Sequence, residues 1–393
     1  MAVNAGGTPA PWIDRQLQAL LARRGHAWLL LGPSGLGQFE LGLALVRAWL
    51  CDAPTFPAAR DSLALQATEP SEPAPLRAVP TRTGESGAAA LSPEEGLAAL
   101  GRPGGGSDAP TLQGACGACA SCHGIDVHAH TDLVVLMPET EMIERGWPLS
   151  EKAQSEIDDK KRKPSREIRV DAMREAIEFA QRTSGRGRGK AVLVYPAERM
   201  NAVAANALLK TLEEPPGEVR FVLATDAVHL LLPTIRSRCQ AYTLAWPRED
   251  EALAWLGAQG VAGDLAKTLL RAAGGRPSAA LQWAADKTSA RLWAGLPQAM
   301  ARGDLTPLAD LALPEAVARL QKLCHDLMAR QVGAPVRFFD EGDLPAHPLS
   351  LRVLGHWWVQ LGQLARNAEH PLNAGLAKEF LASTARRALH SGP

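Results

Sequence analysis

Residues 204–239 read AANALLKTLEEPPGEVRFVLATDAVHLLLPTIRSRC. Asn206, Leu208, Leu209 and Leu212 fall at helical spacing, and Pro215 and Pro216 cannot continue a helix and restrict the residue before them, so the helix ends at Glu214. The apolar run Phe221-Val222-Leu223-Ala224 ends in Thr225 and Asp226, the pattern of a buried parallel strand that delivers its C-terminal end to a site. Thr234 to Cys239 closes the unit on a turn predicted to expose Arg236 and Arg238. Helix, buried strand and basic turn in one short run indicate an α/β protein.

Working outward, the spacing of Ile13, Leu17, Leu20 and Leu21 predicts an amphipathic helix over Ile13 to Arg24, ended by Gly25. Ala27 to Leu31 reads as a buried strand and runs into Gly32-Pro33-Ser34-Gly35-Leu36-Gly37-Gln38-Phe39. Strand, glycine-rich loop and helix in that order are the setting of a phosphate-binding (Walker A) loop, where glycines let backbone N–H groups approach phosphate oxygens. The motif needs Lys for the terminal phosphates and Ser or Thr for magnesium; Gln38 and Phe39 stand there instead. A neutral amide cannot offset a triphosphate, and a phenyl ring cannot ligate a hard cation. The loop Gly32, Gly35, Gly37, Gln38, Phe39 is therefore read as degenerate, with no nucleotide expected.

The 204–239 stretch resembles the clamp-loader branch of the AAA+ proteins, in which AANALLKTLEEPP precedes the sensor 1 strand and the Ser-Arg-Cys motif. The resemblance implies that Arg238, flanked by Ser237 and Cys239, reaches the γ-phosphate of ATP held by a neighbouring subunit, and that Thr225 is the sensor 1 residue. Active relatives carry an Asp-Glu pair after the strand corresponding to Ala191–Val194; Tyr195 and Pro196 stand there, with Glu198 out of register. Ser278 holds the place of the sensor 2 arginine, with Arg276 two residues before it. The expected architecture is an AAA+ P-loop-type parallel-sheet domain over 1–245 with an inserted zinc module, a helical lid over 246–287 and an all-α collar over 288–393. The function implied is a non-hydrolysing stator of the bacterial DNA polymerase III clamp loader. Its partners would be the ATP-binding tau/gamma subunits and the delta subunit in a hetero-oligomeric ring, with the sliding clamp and primed DNA reached through the complex. Two other classes remain: an active tau/gamma-type ATPase, which needs the absent Lys and Ser/Thr, and a free-standing zinc-bearing DNA-binding module.

Cys116-Gly-Ala-Cys119-Ala-Ser-Cys122 sets three thiols at two-residue spacers, and a closed tetrahedral site needs a fourth ligand. Cys51, after the helix that follows the degenerate loop, is the candidate, because the family carries a four-cysteine zinc module between the same elements; His123 competes for the place. Structural Zn2+ is expected. An iron–sulfur cluster is the chemical alternative, but the ferredoxin run continues to a fourth Cys followed by Pro, and Asp126 and Val127 follow here. Unmetallated thiols are the remaining reading. Cys239 belongs to the arginine motif and Cys324 to a helical core.

The chain has 393 residues, room for roughly two or three domains. Lys plus Arg and Asp plus Glu number 42 each, so net charge argues for neither a nucleic-acid nor a membrane partner. No apolar run is long enough to span a bilayer and MAVNAGGTPAPW is unlike a signal peptide, so a cytoplasmic location with reduced cysteines is expected. Residues 53–114, rich in Ala, Pro, Gly, Ser and Glu, are predicted to be a flexible insertion with a transient helix over Leu91 to Leu100. Asp132 to Leu136 reads as a core strand, and the preceding His128 and His130 as non-ligands. Residues 138–167, ending in Lys160-Lys161-Arg162-Lys163, are predicted as a second, solvated insertion. The basic turn Arg182 to Lys190 is open to phosphate contact or solvent alike. Beyond Trp246 helices are predicted over Glu249–Ala258, Asp264–Ala273, Pro277–Ala285, Glu315–Gln331 and Leu349–Arg366, the last packing through Trp357 and Trp358.

Overall fold

The computed structural model describes residues 10–54, 114–286, 288–367 and 373–392. Five parallel strands form one sheet in the order β2-β3-β4-β1-β5, where β1 is Ala27–Leu31, β2 Leu133–Leu136, β3 Lys190–Val194, β4 Val219–Thr225 and β5 Gln240–Thr243. The central strand β4 pairs Leu223 with Leu29 of β1 on one side and with Val194 of β3 on the other. Both faces are covered, which is why the middles of these strands, Ala27–Leu31, Ala191–Val194 and Phe221–Ala224, are continuous apolar runs rather than alternating ones.

Against one face lie helices α1 (Pro11–Leu21), α2 (Gln38–Leu50) and α3 (Ala120–Asp126), whose Ile13, Leu41, Leu45 and Ile125 meet Leu30, Leu193 and Val222. Helices α6 (Val170–Gln181), α7 (Ala202–Glu213) and α8 (Pro233–Arg236) cover the other face, where Met173, Leu208, Leu212 and Ile235 pack on Leu29, Val192, Phe221 and Leu223. Truncating one such leucine to alanine costs roughly 2–5 kcal/mol. The C-terminal ends of β1, β3 and β4 carry Gly32, Tyr195 and Thr225, so three of the predicted site segments converge on one rim of the sheet.

The predicted elements recur with ends shifted by at most three residues; α7, for example, begins at Ala202, capped by the Asn201 side chain accepting from the Ala204 N–H at 2.8 Å. One strand had no reading and one reading changes. Strand β5 has no apolar run, because as the outer strand it is mostly exposed and leaves no pattern to read. Residues 138–167, expected as a solvated insertion, hold helices α4 (Glu139–Arg145) and α5 (Glu151–Asp158). Arg162 ties the two together with bonds of 2.5 and 2.8 Å to Glu139 and 2.7 Å to Glu156. Of the basic run that suggested solvation, Arg162 is spent internally, while Lys160, Lys161 and Lys163 are exposed. Residues 55–113, which include most of the first predicted insertion and Leu91 to Leu100, lie outside the described residues.

After Trp246 the described residues contain helices and no strand. Helices α9 (Glu249–Ala258), α10 (Gly263–Ala272) and α11 (Pro277–Ala284) enclose Leu256, Leu269 and Leu270. Helices α12 (Ser289–Ala294), α13 (Leu296–Arg302), α14 (Leu313–Gln331), α15 (Leu351–Asn367) and α16 (Ala374–Leu389) enclose Trp293, Leu320, Cys324, Trp357 and Leu381. Trp357 is buried as expected, whereas its neighbour Trp358 is 41% exposed. Two cations join α10 to the second group by donating to carbonyls at its C-terminal end, Lys322 to Ala272 at 2.7 Å and Arg337 to Gly274 at 3.4 Å, and Arg276, just before α11, donates to the Ala273 carbonyl between them at 2.6 Å. Positive charge at a helix C-terminus meets the negative end of its dipole and the carbonyls left without helical partners.

Candidate functional site

The glycine-rich loop at 32–39 is closed by the side chain of its own Gln38. Gly37, with φ +99°, precedes α2, and a Cβ there would lie 2.7 Å from Ile13 Cδ1. The turn carries Gln38 inward, where it is 2% exposed. Its amide donates to Gly32 O at 2.6 Å, Pro33 O at 2.9 Å and Asp226 Oδ1 at 2.9 Å. The side chain at the phosphate-lysine position thus fastens the loop to its own carbonyls and to the end of β4. Phe39 is also buried, its ring 5.5 Å from that of Tyr195. The Arg145 guanidinium lies 4.5 Å from the Phe39 ring centre and 5.0 Å from that of Tyr195.

Glu198, two residues beyond Pro196, turns back to β4 and accepts from Thr225 Oγ1 at 2.6 Å and from Asp226 N at 3.3 Å. Burial, then the Glu198 carboxylate, push the Asp226 carboxyl up to about 6. Arg276 donates to Ser34 O at 2.9 Å, spending its charge on the loop backbone. The structure therefore brings Gln38, Phe39, Tyr195, Glu198, Thr225 and Arg276 together. Sequence reading missed Arg145 and saw Asp226 only as the polar end of a strand: neither belongs to a motif, and only the fold carries α4 over the loop.

Arg238 stands apart from that cluster, after α8. It is partly exposed rather than free on its turn: Nε and Nη2 donate to Glu213 Oε2 at 3.2 and 3.0 Å, and Nη1 to Thr234 O at 3.1 Å. Glu213 is itself 60% exposed, and such a surface pair is worth about 0–1 kcal/mol, so the guanidinium is held but releasable. Arg236 is exposed at the end of α8.

The four cysteines converge. Cys51 Sγ lies 3.5 Å from Cys116 Sγ and 3.8 Å from both Cys119 Sγ and Cys122 Sγ, and all four sulfurs fall within 4.8 Å of one another. A tetrahedron with metal–sulfur bonds of about 2.3 Å has edges of about 3.8 Å, so the set fits a zinc-sized ion. The Cys116 and Cys122 N–H groups donate to Cys51 and Cys119 sulfurs at 3.3 and 3.4 Å, bonds that favour thiolate. Asp52 supports the module by accepting from Ser121 N at 3.1 Å and Ser121 Oγ at 2.7 Å. His123 is exposed and outside the cluster. His128 stacks on Trp147 at 3.9 Å, and His130 accepts from Asp132 N at 3.0 Å. The basic turn is pinned by a residue with no predicted role: Asp132 accepts from Ser184 Oγ, Gly185 N and Arg186 N at 2.8–2.9 Å.

A family model described as "DNA polymerase III, delta subunit" matches residues 107–247, which cover α3, every strand of the sheet except β1, and the turn that carries Arg238. The DNA polymerase III subunit delta' of Yersinia pestis is 31% identical over 286 residues, 68% of this chain and 76% of that protein. The chain belongs to the delta' family. The delta' subunit of Escherichia coli is 35% identical over 221 residues, 54% of this chain and 58% of that one. For the delta' subunit of Pseudomonas aeruginosa the figures are 37% identity over 147 residues, 37% of this chain and 38% of that one. These two matches thus span less than two thirds of either relative's length. All three delta' alignments rest on a chain whose candidate nucleotide site is closed by its own side chains.

Proposed function

We propose that this delta' family member is a non-hydrolysing clamp-loader subunit of DNA polymerase III, which supplies Arg238 in trans to ATP held by a neighbouring tau/gamma subunit. The observation that carries the reading is the contrast between the two ends of β4. At its C-terminal end Gln38, Phe39, Tyr195 and Arg145 fill the space of a nucleotide's phosphates and magnesium, while Arg238 sits partly exposed on a loosely held turn. Partners are the ATP-binding subunits and the delta subunit in a ring that opens the sliding clamp and places it on primed DNA. The α/β unit over 1–245, the lid over 246–287 and the collar over 288–393 are the parts of that subunit. Cys51, Cys116, Cys119 and Cys122 would hold one Zn2+. Four thiolates leave no open position, so the ion would supply folding energy and no chemistry.

An arginine aimed at a γ-phosphate stabilises charge that builds in the transition state, an effect of about 10³–10⁵ in rate in well-studied cases. Only the one ATP site bordering this subunit would lose it. Arg238→Ala should therefore leave the chain folded and able to join the loader, yet slow DNA-stimulated ATP hydrolysis and clamp loading severalfold. Arg238→Lys should rescue poorly, because an ammonium lacks the planar two-oxygen fork. Reconstitution with ATP-binding subunits tests this, and an unchanged rate for the assembled Ala variant would refute the trans-acting role.

A further inference from the structure

We propose that residues 139–147 are an internal plug of the phosphate-loop site, and that this plug, over and above Gln38 and Phe39, keeps nucleotide out. The inference rests on reading residues 32–39 as a former nucleotide loop. Phe39 occupies the position of the magnesium-binding hydroxyl, and Tyr195 that of the acidic pair. Arg145 lies over both rings, so a fixed guanidinium stands beside the two positions that would otherwise hold a divalent cation. Its charge is held from both sides of the cleft: Glu141, one turn earlier in α4, accepts at 2.5 Å, and Glu40 of α2 at 3.4 Å.

The plug is built rather than draped. Gly146, with φ +70°, ends α4 in the left-handed conformation, and the Trp147 N–H donates back to Met142 O at 2.8 Å. That reversal sets the Trp147 ring edge-on to Phe39 with centres 6.3 Å apart. His128, at the exit of the four-cysteine module, stacks on the outer side of Trp147 at 3.9 Å. At the far end of the insertion the Arg162 bonds to Glu139 hold the start of α4 in place. Arg145 therefore sits in a wall of Phe39, Tyr195 and Trp147 backed by two packed elements. Cation–π contacts and partly buried ion pairs of this kind shift an equilibrium by up to about tenfold each.

The test uses the full chain and a fluorescent ATP analogue with magnesium as the probe. In Q38K/F39T the loop regains the residues that the phosphates and magnesium need, and no binding should appear. In Q38K/F39T/R145A/W147A binding should appear, at least about tenfold tighter than any residual binding by the double variant. Thermal melting and metal content of each variant establish that it is folded. The plug is refuted if Q38K/F39T alone binds as tightly as the quadruple variant, or if neither folded variant binds. Binding by the unmodified chain would instead overturn the nucleotide-free reading itself, so the two failures are distinct.

Discussion

Asp226 shows how a single side chain carries the cost of a closed site. Its carboxylate is held by Gln38 yet buried beside Glu198, which raises its proton affinity to about 6, above the ordinary value of about 3.9. A folded-state value above the unfolded one means the native chain takes up the proton more readily. The resulting stabilisation is complete below about pH 4 and lost as pH rises through about 6, so at neutral pH the ionised group is a burden. Asp226→Asn keeps the oxygen that accepts from Gln38 and removes the charge. It should be more stable than the parent by about 1–2 kcal/mol at pH 7.5 and nearly equal to it at pH 4. Urea denaturation at the two pH values measures this, and a variant less stable at pH 7.5 would show that the carboxylate has a partner worth more than its burial. Gln38 and Phe39 were legible as substitutions in a motif. Asp226 was visible only as the polar end of a strand, because its protonation depends on Glu198, which lies 28 residues away in sequence.

The four-cysteine module illustrates what spacing can and cannot specify in an element. Cys116, Cys119 and Cys122 announce themselves by their two-residue spacers, but Cys51 is an isolated thiol until the end of α2 brings it within 3.5–3.8 Å of the other three. Cys119→Ser should lose the bound metal and lower the melting temperature by several degrees, because such a site contributes folding free energy. It should leave the sheet intact and remove no chemical step. Elemental analysis with thermal denaturation checks this; full metal retention would show that Cys119 is dispensable. The insertion at 138–167 teaches the opposite lesson. Most of its charges are solvated, Lys160, Lys161 and Lys163 among them, but Arg162 is an internal tie of α4 and α5, shared between Glu139 and Glu156. Composition cannot distinguish the two, since only tertiary proximity decides whether a carboxylate faces water or an arginine.

Across the whole molecule, the sheet, the helical pairs and the cation joint at α10 hold the phosphate-loop wall, the middle helices and the C-terminal bundle in continuous contact through Ser34, Arg276, Ala272 and Lys322. Residues 60–108 lie outside the described residues, and the described chain on either side comes together where the Cys116 N–H donates to Cys51 Sγ at 3.3 Å. Their composition offers little apolar surface to bury, and loop closure costs only about 0.6 kcal/mol per doubling of length. Deleting residues 60–108 should therefore leave the melting temperature and subunit assembly nearly unchanged, and a fall of many degrees would show that they pack. By itself the sequence determined the α/β class, the buried strands and the helix that ends before Pro215, because hydrophobic periodicity and proline stops are local properties of the chain. Tertiary structure alone decided that Arg145 and Trp147 cover the loop, that Asp226 is burdened and that Arg238 rests on Glu213. Each of those outcomes depends on distances between residues far apart in sequence, and such distances come into being only when both faces of the sheet are packed.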